Sequence, residues 1–122
     1  MFEWIPGNAV QLLLTLNPGN LTLNAAAARY LDEVRYVSIG LDKAHRRIAI
    51  KPVTKREIDL QLVPNEHLHK VTIGNGYARI TSKSVCDSIC EMAQVKADGS
   101  KFKIVYNEVD KMLIVDFSRP SI

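Results

Sequence analysis

Along much of this chain apolar and polar residues alternate one for one, in short runs broken by turn-forming residues. Residues 14–24 read LTLNPGNLTLN and residues 71–81 read VTIGNGYARIT. The two segments align without a gap, 57 residues apart (14 to 71, 24 to 81). Each is an apolar/Thr run, a turn, a second such run, and a polar residue suited to cap a helix. A period of two marks a strand with one buried face. Pro18-Gly19 in the first copy and Gly74-Asn75-Gly76 in the second supply the turn, because Pro fixes φ and Gly tolerates φ > 0. The pattern predicts a hairpin with strands over residues 9–16 and 21–23, and another that returns over residues 77–80.

A helix signal follows each hairpin. Asn24 precedes an alanine run ending in Arg29, Tyr30 and Leu31, a capping residue before the best helix former. Helical spacing puts Ala27, Tyr30 and Leu31 on one face. In the second copy Thr81 or Ser82 caps a helix through Val85, Cys86, Ile89, Cys90 and Ala93. Two more alternating runs come after each helix. Val37, Ile39 and Leu41, a turn at residues 42–46, then Ile48 and Ile50 form the first set. Phe102, Ile104 and Tyr106, a turn at residues 107–111, then Leu113, Val115 and Phe117 form the second, now 65 residues on (37 to 102, 48 to 113). The rise from 57 to 65 implies an insertion around residues 94–100, as a longer helix end and a loop at Gly99. Residues 2–6 and 60–64 are short extended runs closed by Pro, which cannot donate to a continuing ladder.

The expected fold is therefore mainly β (α+β). Two tandem β-β-α-β-β repeats, residues 1–53 and 58–117 with a linker at 54–57, form one pseudo-two-fold, barrel-like domain. Neither unit alone buries a large core, and a stacked array usually needs three or more units, so the copies are expected to share one interior.

Composition narrows the functional classes. Of 122 residues 47% are apolar, a globular proportion, and no apolar run approaches the ~20 residues of a membrane span. The start of the chain lacks a basic segment followed by an apolar one, the pattern of a secretory signal, and two cysteines make no disulfide framework; the expected location is the cytoplasm. The net charge is +3, but residues 43–56 (KAHRRIAIKPVTKR) alone carry +6 and no acid, which leaves −3 for the rest. Such a concentration attracts phosphate or an acidic partner, or protects a solvated hairpin edge from aggregation.

Candidate chemistry is sparse. Cys86 and Cys90 lie four apart on one helical face, the spacing of small core residues as well as of a redox or metal pair, and the core reading is preferred. His67 and His69 fall on one side of an extended segment without a third ligand at suitable spacing. Residues 81–84 (TSKS) hold nucleophile types where a helix cap is needed. Without a nucleophile elbow, phosphate loop or paired carboxylates, the chain reads as non-catalytic, with no cofactor and no metal.

The order of elements, with Gly19-Asn20-Leu21-Thr22-Leu23-Asn24, the helix residues Ala27 to Leu31, and the hairpin segments YVSIGLD (36–42) and RIAIKP (47–52), resembles the AbrB/MazE/MraZ group of swapped-hairpin barrels. The first copy fits over roughly 40 residues and the second more loosely. The family's Arg after the turn glycine is Asn20 here and Tyr77 in the second copy, and its Pro is Asn24 and Thr81. The resemblance implies a barrel of two interleaved hairpin units and a role as a DNA-binding transcriptional regulator. The nucleic-acid-binding candidates are Arg29, Arg46, Arg47, Lys70, Arg79 and Lys83, and the partner is double-stranded DNA. The first hairpin carries no Lys or Arg, which leaves a second expectation: a protein–protein interaction or assembly module, homo-oligomeric or with another protein, that binds no nucleic acid.

Overall fold

The computed structural model describes residues 1–2, 11–32 and 34–118. Eight strands form a closed antiparallel barrel. They are β1 (Leu13–Asn17), β2 (Asn20–Asn24), β3 (Tyr36–Asp42), β4 (Arg47–Val53), β5 (His69–Gly74), β6 (Tyr77–Thr81), β7 (Ser100–Asn107) and β8 (Met112–Asp116). Around the barrel the order is β1-β2-β6-β5-β3-β4-β8-β7, with β7 closing onto β1. Closure removes the free edges that would otherwise template aggregation. Most strands bury alternate residues, as in Leu14, Leu16, Leu21 and Leu23 of the first hairpin, so the period-two pattern becomes the inner wall; β3 and β5 bury only Val37 and Val71, and Leu41 and Ile73 at their outer ends are partly exposed. Leu14, Leu16, Leu21, Leu23, Ile48, Ile50, Ile80 and Leu113 are sealed from solvent there. An eight-stranded barrel is just wide enough for side chains to fill it.

The tight turns have the geometry their residues allow. Gly19 and Gly76 sit at φ +82° and +85°, where a β-carbon would strain the backbone. The two longer turns close alike. Asp42 Oδ1 accepts from the His45 amide, and Asn107 Oδ1 accepts from the Asp110 amide. Each turn ends on a left-handed residue, Arg46 or Lys111, both at φ 54°.

Two helices plug the ends. Helix α1 (Ala25–Ala28), extended by a 3₁₀ turn at Arg29–Leu31, follows β2, and α3 (Lys83–Ala93) follows β6. β2 and β6 run antiparallel, with Asn24 beside Tyr77 and Asn20 beside Thr81, so the helices leave that ladder at opposite ends. Asn24 Oδ1 accepts the Ala27 and Leu13 amides, while its Nδ2 donates to the Gln11 carbonyl. Ser82 caps α3 by accepting the Val85 amide. Ala27, Ala28 and Leu31 seal one end; Cys86, Ile89 and Ala93 seal the other.

Several sequence expectations shift. Tyr30 does not join the buried face: Ala28 does, and Tyr30 is 42% exposed, its ring stacked on Tyr106 with centroids 4.1 Å apart. The early change to 3₁₀ winding rotates it outward. The expected linker at 54–57 is largely α2 (Lys55–Asp59), started by a capping box in which Thr54 and Glu57 exchange hydrogen bonds. Residues 60–64 are no strand; Gln61 turns the chain at φ 55°, and Leu60 and Leu62 are exposed. The expected run at residues 2–6 lies largely outside the described residues, as do residues 9 and 10 of the strand expected at 9–16; Gln11 and Leu12 are not in a strand, and β1 starts at Leu13. Among those described, no helix is long and apolar enough to cross a membrane.

Candidate nucleic-acid interface

The outward residues of β1, β2, β5 and β6 form one polar wall. Thr15 pairs with Thr22, Thr22 with Arg79, and Arg79 with Thr72; on the other flank Thr15 pairs with Lys101 of β7. This row, Lys101–Thr15–Thr22–Arg79–Thr72, spans five neighbouring strands. Beside it, continuing the registers of β5–β6 and β2–β6 sets Lys70, Thr81 and Asn20 in line. Lys70, Arg79 and Lys101 all point outward on this side, Lys103 points outward at its margin on β7, and no Asp or Glu occupies an outward position of these five strands.

Local contacts hold the wall's side chains. Arg79 lies over the Tyr77 ring, its guanidinium carbon 5.0 Å from the centroid, a cation–π contact that steadies a long side chain. Tyr77 in turn covers its cross-strand partner Gly74, where a β-carbon would run into the ring. On the first hairpin Asn17 Nδ2 donates to Asn20 Oδ1 at 3.0 Å, and Thr22 Oγ1 donates to the same oxygen at 3.1 Å. Hydroxyls, amides, Lys and Arg are the groups that bond phosphate oxygens. Lys101 and Arg79 stand three strand spacings apart, about 14 Å, close to the roughly 12 Å width of the DNA major groove.

The sequence-predicted residues divide. Lys70 and Arg79 lie together on this wall, and Lys83, exposed at the start of α3, follows directly from its edge. Arg29 is at the far end of the β2–β6 ladder, beside Tyr30, Asp32 and Lys55 in a shallow hollow; it does not share a surface with Lys83. Arg46 ends the β3–β4 turn and Arg47 begins β4, across the barrel. There Arg47 Nη2 bonds Asp42 Oδ2 at 2.7 Å and His45 Nδ1 lies 3.0 Å from the same oxygen. The Arg47 guanidinium holds the Asp42 carboxyl below the usual carboxylate range, partly countered by desolvation and reinforced by His45. The basic segment is thus partly neutralised by a residue just outside it. Sequence reasoning missed Lys101 and Lys103. Their alternation with Phe102 and Ile104 was available, but that β7 lies beside β1 was not.

The other candidate chemistry is quiet. Cys86 and Cys90 are free, and burial, the largest cause, pushes both thiols up, away from the reactive thiolate. His67 sits in a 3₁₀ turn and His69 in β5; burial first, then the charge of His67, lowers the His69 pKa. Among the described residues no three His, Cys, Asp or Glu side chains gather as a metal site. No protein-family model, curated protein or solved structure matches this chain.

Proposed function

We propose that this chain is a non-catalytic, duplex-DNA-binding regulator of the AbrB/MazE/MraZ kind, a single domain built from two internal repeats. The observation that carries the DNA reading is the acid-free outward wall with Lys70, Arg79 and Lys101 among threonines and asparagines. The first hairpin's lack of basic residues is made good by its neighbours, Lys101 on one flank and Arg79 on the other.

The repeat reading has its own support. Exchanging β1–β4 with β5–β8 maps the ring of neighbouring strands onto itself. Leu14↔Leu23 corresponds to Val71↔Ile80 at the offset of 57, and Ile39↔Ile50 to Ile104↔Val115 at the offset of 65. The β2–β6 ladder is self-corresponding about Thr22↔Arg79, and β4–β8 about Ala49↔Ile114. The β3–β5 register departs by two residues from its counterpart β1–β7, at the joints where the two offsets change over. A local two-fold at Thr22 and Arg79 suits a duplex, whose backbone is itself two-fold symmetric.

Fluorescence anisotropy with a labelled duplex at two salt concentrations tests this reading. Arg79→Ala and Lys101→Ala should each weaken binding several-fold at low salt and flatten the salt-dependence slope by about 0.9 for each phosphate that the variant leaves unneutralised. Arg46→Ala with Arg47→Ala should leave the slope unchanged. Absence of association with any duplex at low salt would overturn it. A dominant effect of Arg46 and Arg47 would move the interface to the opposite wall.

A further inference from the structure

The wall made by β3, β4, β8 and β7, which meets the first along β7, is of another character. Val105 pairs with Ile114, Ile114 with Ala49, and Ala49 with Gly40. The four make a continuous outward row, apolar throughout, and Val105 is 67% exposed. One step along the strands lies a second row. Asp116 pairs with Arg47 and Arg47 with Asp42, and extending the β7–β8 register by one residue brings Lys103 beside Asp116. Read across the wall, that row is positive, negative, positive, negative.

We infer that this wall binds a second copy of the chain, face to face, about a two-fold axis parallel to the strands and lying between β4 and β8. Such an axis reverses the order of strands and keeps each row opposite itself. Lys103 then meets Asp42 of the second copy, and Asp116 meets Arg47; every charge faces its opposite. In the apolar row Val105 meets Gly40 and Ile114 meets Ala49, so each large side chain faces a small one. The wall is complementary to itself in charge and in relief, which is what an isologous interface requires. The alternative two-fold, perpendicular to the strands, would bring Arg47 against Lys51, whose row lies on the other side of the apolar one; like charges reject it. Laid flat, four strands at about 4.8 Å and six residues at about 3.3 Å span roughly 19 by 20 Å, an upper bound of about 400 Å² per copy because the closed barrel curves. That area belongs to weak, reversible association. It leaves Thr15, Thr22, Arg79 and Lys70 outward on both copies, and it does not depend on the DNA reading.

Sedimentation velocity of the full chain, from micromolar to near-millimolar concentration in low salt, tests the pairing. The parent should shift from monomer toward dimer across that range. Each substitution counts twice in a two-fold dimer, so K103E alone and D42K alone should each weaken self-association about tenfold or more, since like charges then face each other at both rims. An equimolar mixture of the K103E and D42K chains should recover association to within about twofold of the parent, because the mixed pair restores opposite charges at both rims. V105K, at an exposed position that leaves the barrel interior untouched, should weaken association about as much as either charge reversal. Far-UV circular dichroism checks that each variant is folded. A parent that stays monomeric, single variants that associate like the parent, a mixture no better than its components, or an indifferent V105K would each overturn the inference.

Discussion

Asp42 links a turn to a sheet with one side chain. Its carboxylate accepts the His45 amide to close the β3–β4 turn and takes two bonds from Arg47, at 2.7 and 3.2 Å. The folded-state pKa is depressed, chiefly by Arg47. The stabilisation is therefore present above the unfolded value of about 3.9 and is lost as pH falls through the lower folded value. Thermal melting of the parent and of Asp42→Asn should accordingly differ at neutral pH and converge in acid below that window. A gap between the two that stays constant to acid pH would mean that the carboxylate's charge contributes nothing. In the sequence Asp42 is legible as a turn residue, because Asp favours that position. Its neutralisation of Arg47 is less so, since it depends on the two being cross-strand partners, which only the register decides. The same holds for Tyr30. Its helical position is legible, but the change to 3₁₀ winding and the stacking on Tyr106 depend on where β7 ends.

At the scale of elements the hairpins were the most legible part, because period-two alternation and glycine turns are local properties that the barrel leaves intact. Strand limits differ from expectation by a residue or two, the ordinary fraying of ends, except that β1 starts only at Leu13 where a strand from residue 9 was expected. The linker helix α2 was written in Thr54 and Glu57, three apart, a signature that the basic character of residues 43–56 obscured. The junction of hairpin and helix concentrates its hydrogen bonds in Asn24, which caps α1 and also ties down the start of β1 through Leu13 and Gln11. Asn24→Ala removes all three and should cost about 1–2 kcal/mol, a melting-temperature loss of several degrees for a domain of this size. Asn24→Asp keeps the acceptor for Leu13 and Ala27 and loses only the donor to the Gln11 carbonyl, so it should lose less. Equal losses for the two variants would place the stabilisation in the donated bond alone and remove the capping account.

For the whole molecule, what governs behaviour is which ladders join which parts of the chain. Four ladders are hairpins between consecutive strands: β1–β2, β3–β4, β5–β6 and β7–β8. The other four, β1–β7, β2–β6, β3–β5 and β4–β8, each join a strand before α2 to a strand after it. Strands of the first half therefore pair among themselves only as two separate hairpins, as do those of the second, and an isolated hairpin is marginal in water. No sequence period discloses this interleaving, since the alternating pattern is the same whichever strands are neighbours. It is also why the candidate wall could not be assembled from the sequence: Lys101 and Arg79 meet the first hairpin only through ladders that cross between halves. A protease site introduced at the exposed Leu60–Leu62 turn should cut the chain without dissociating it. The nicked protein should elute with the intact one and melt cooperatively. In urea the fragments should separate, and each should be unfolded once isolated. Mixed again in buffer, they should regain the sheet signal together, at a rate that depends on concentration, because chain closure has become a bimolecular step. A fragment that folds alone would mean that one half holds a core of its own, contrary to the ladder pattern.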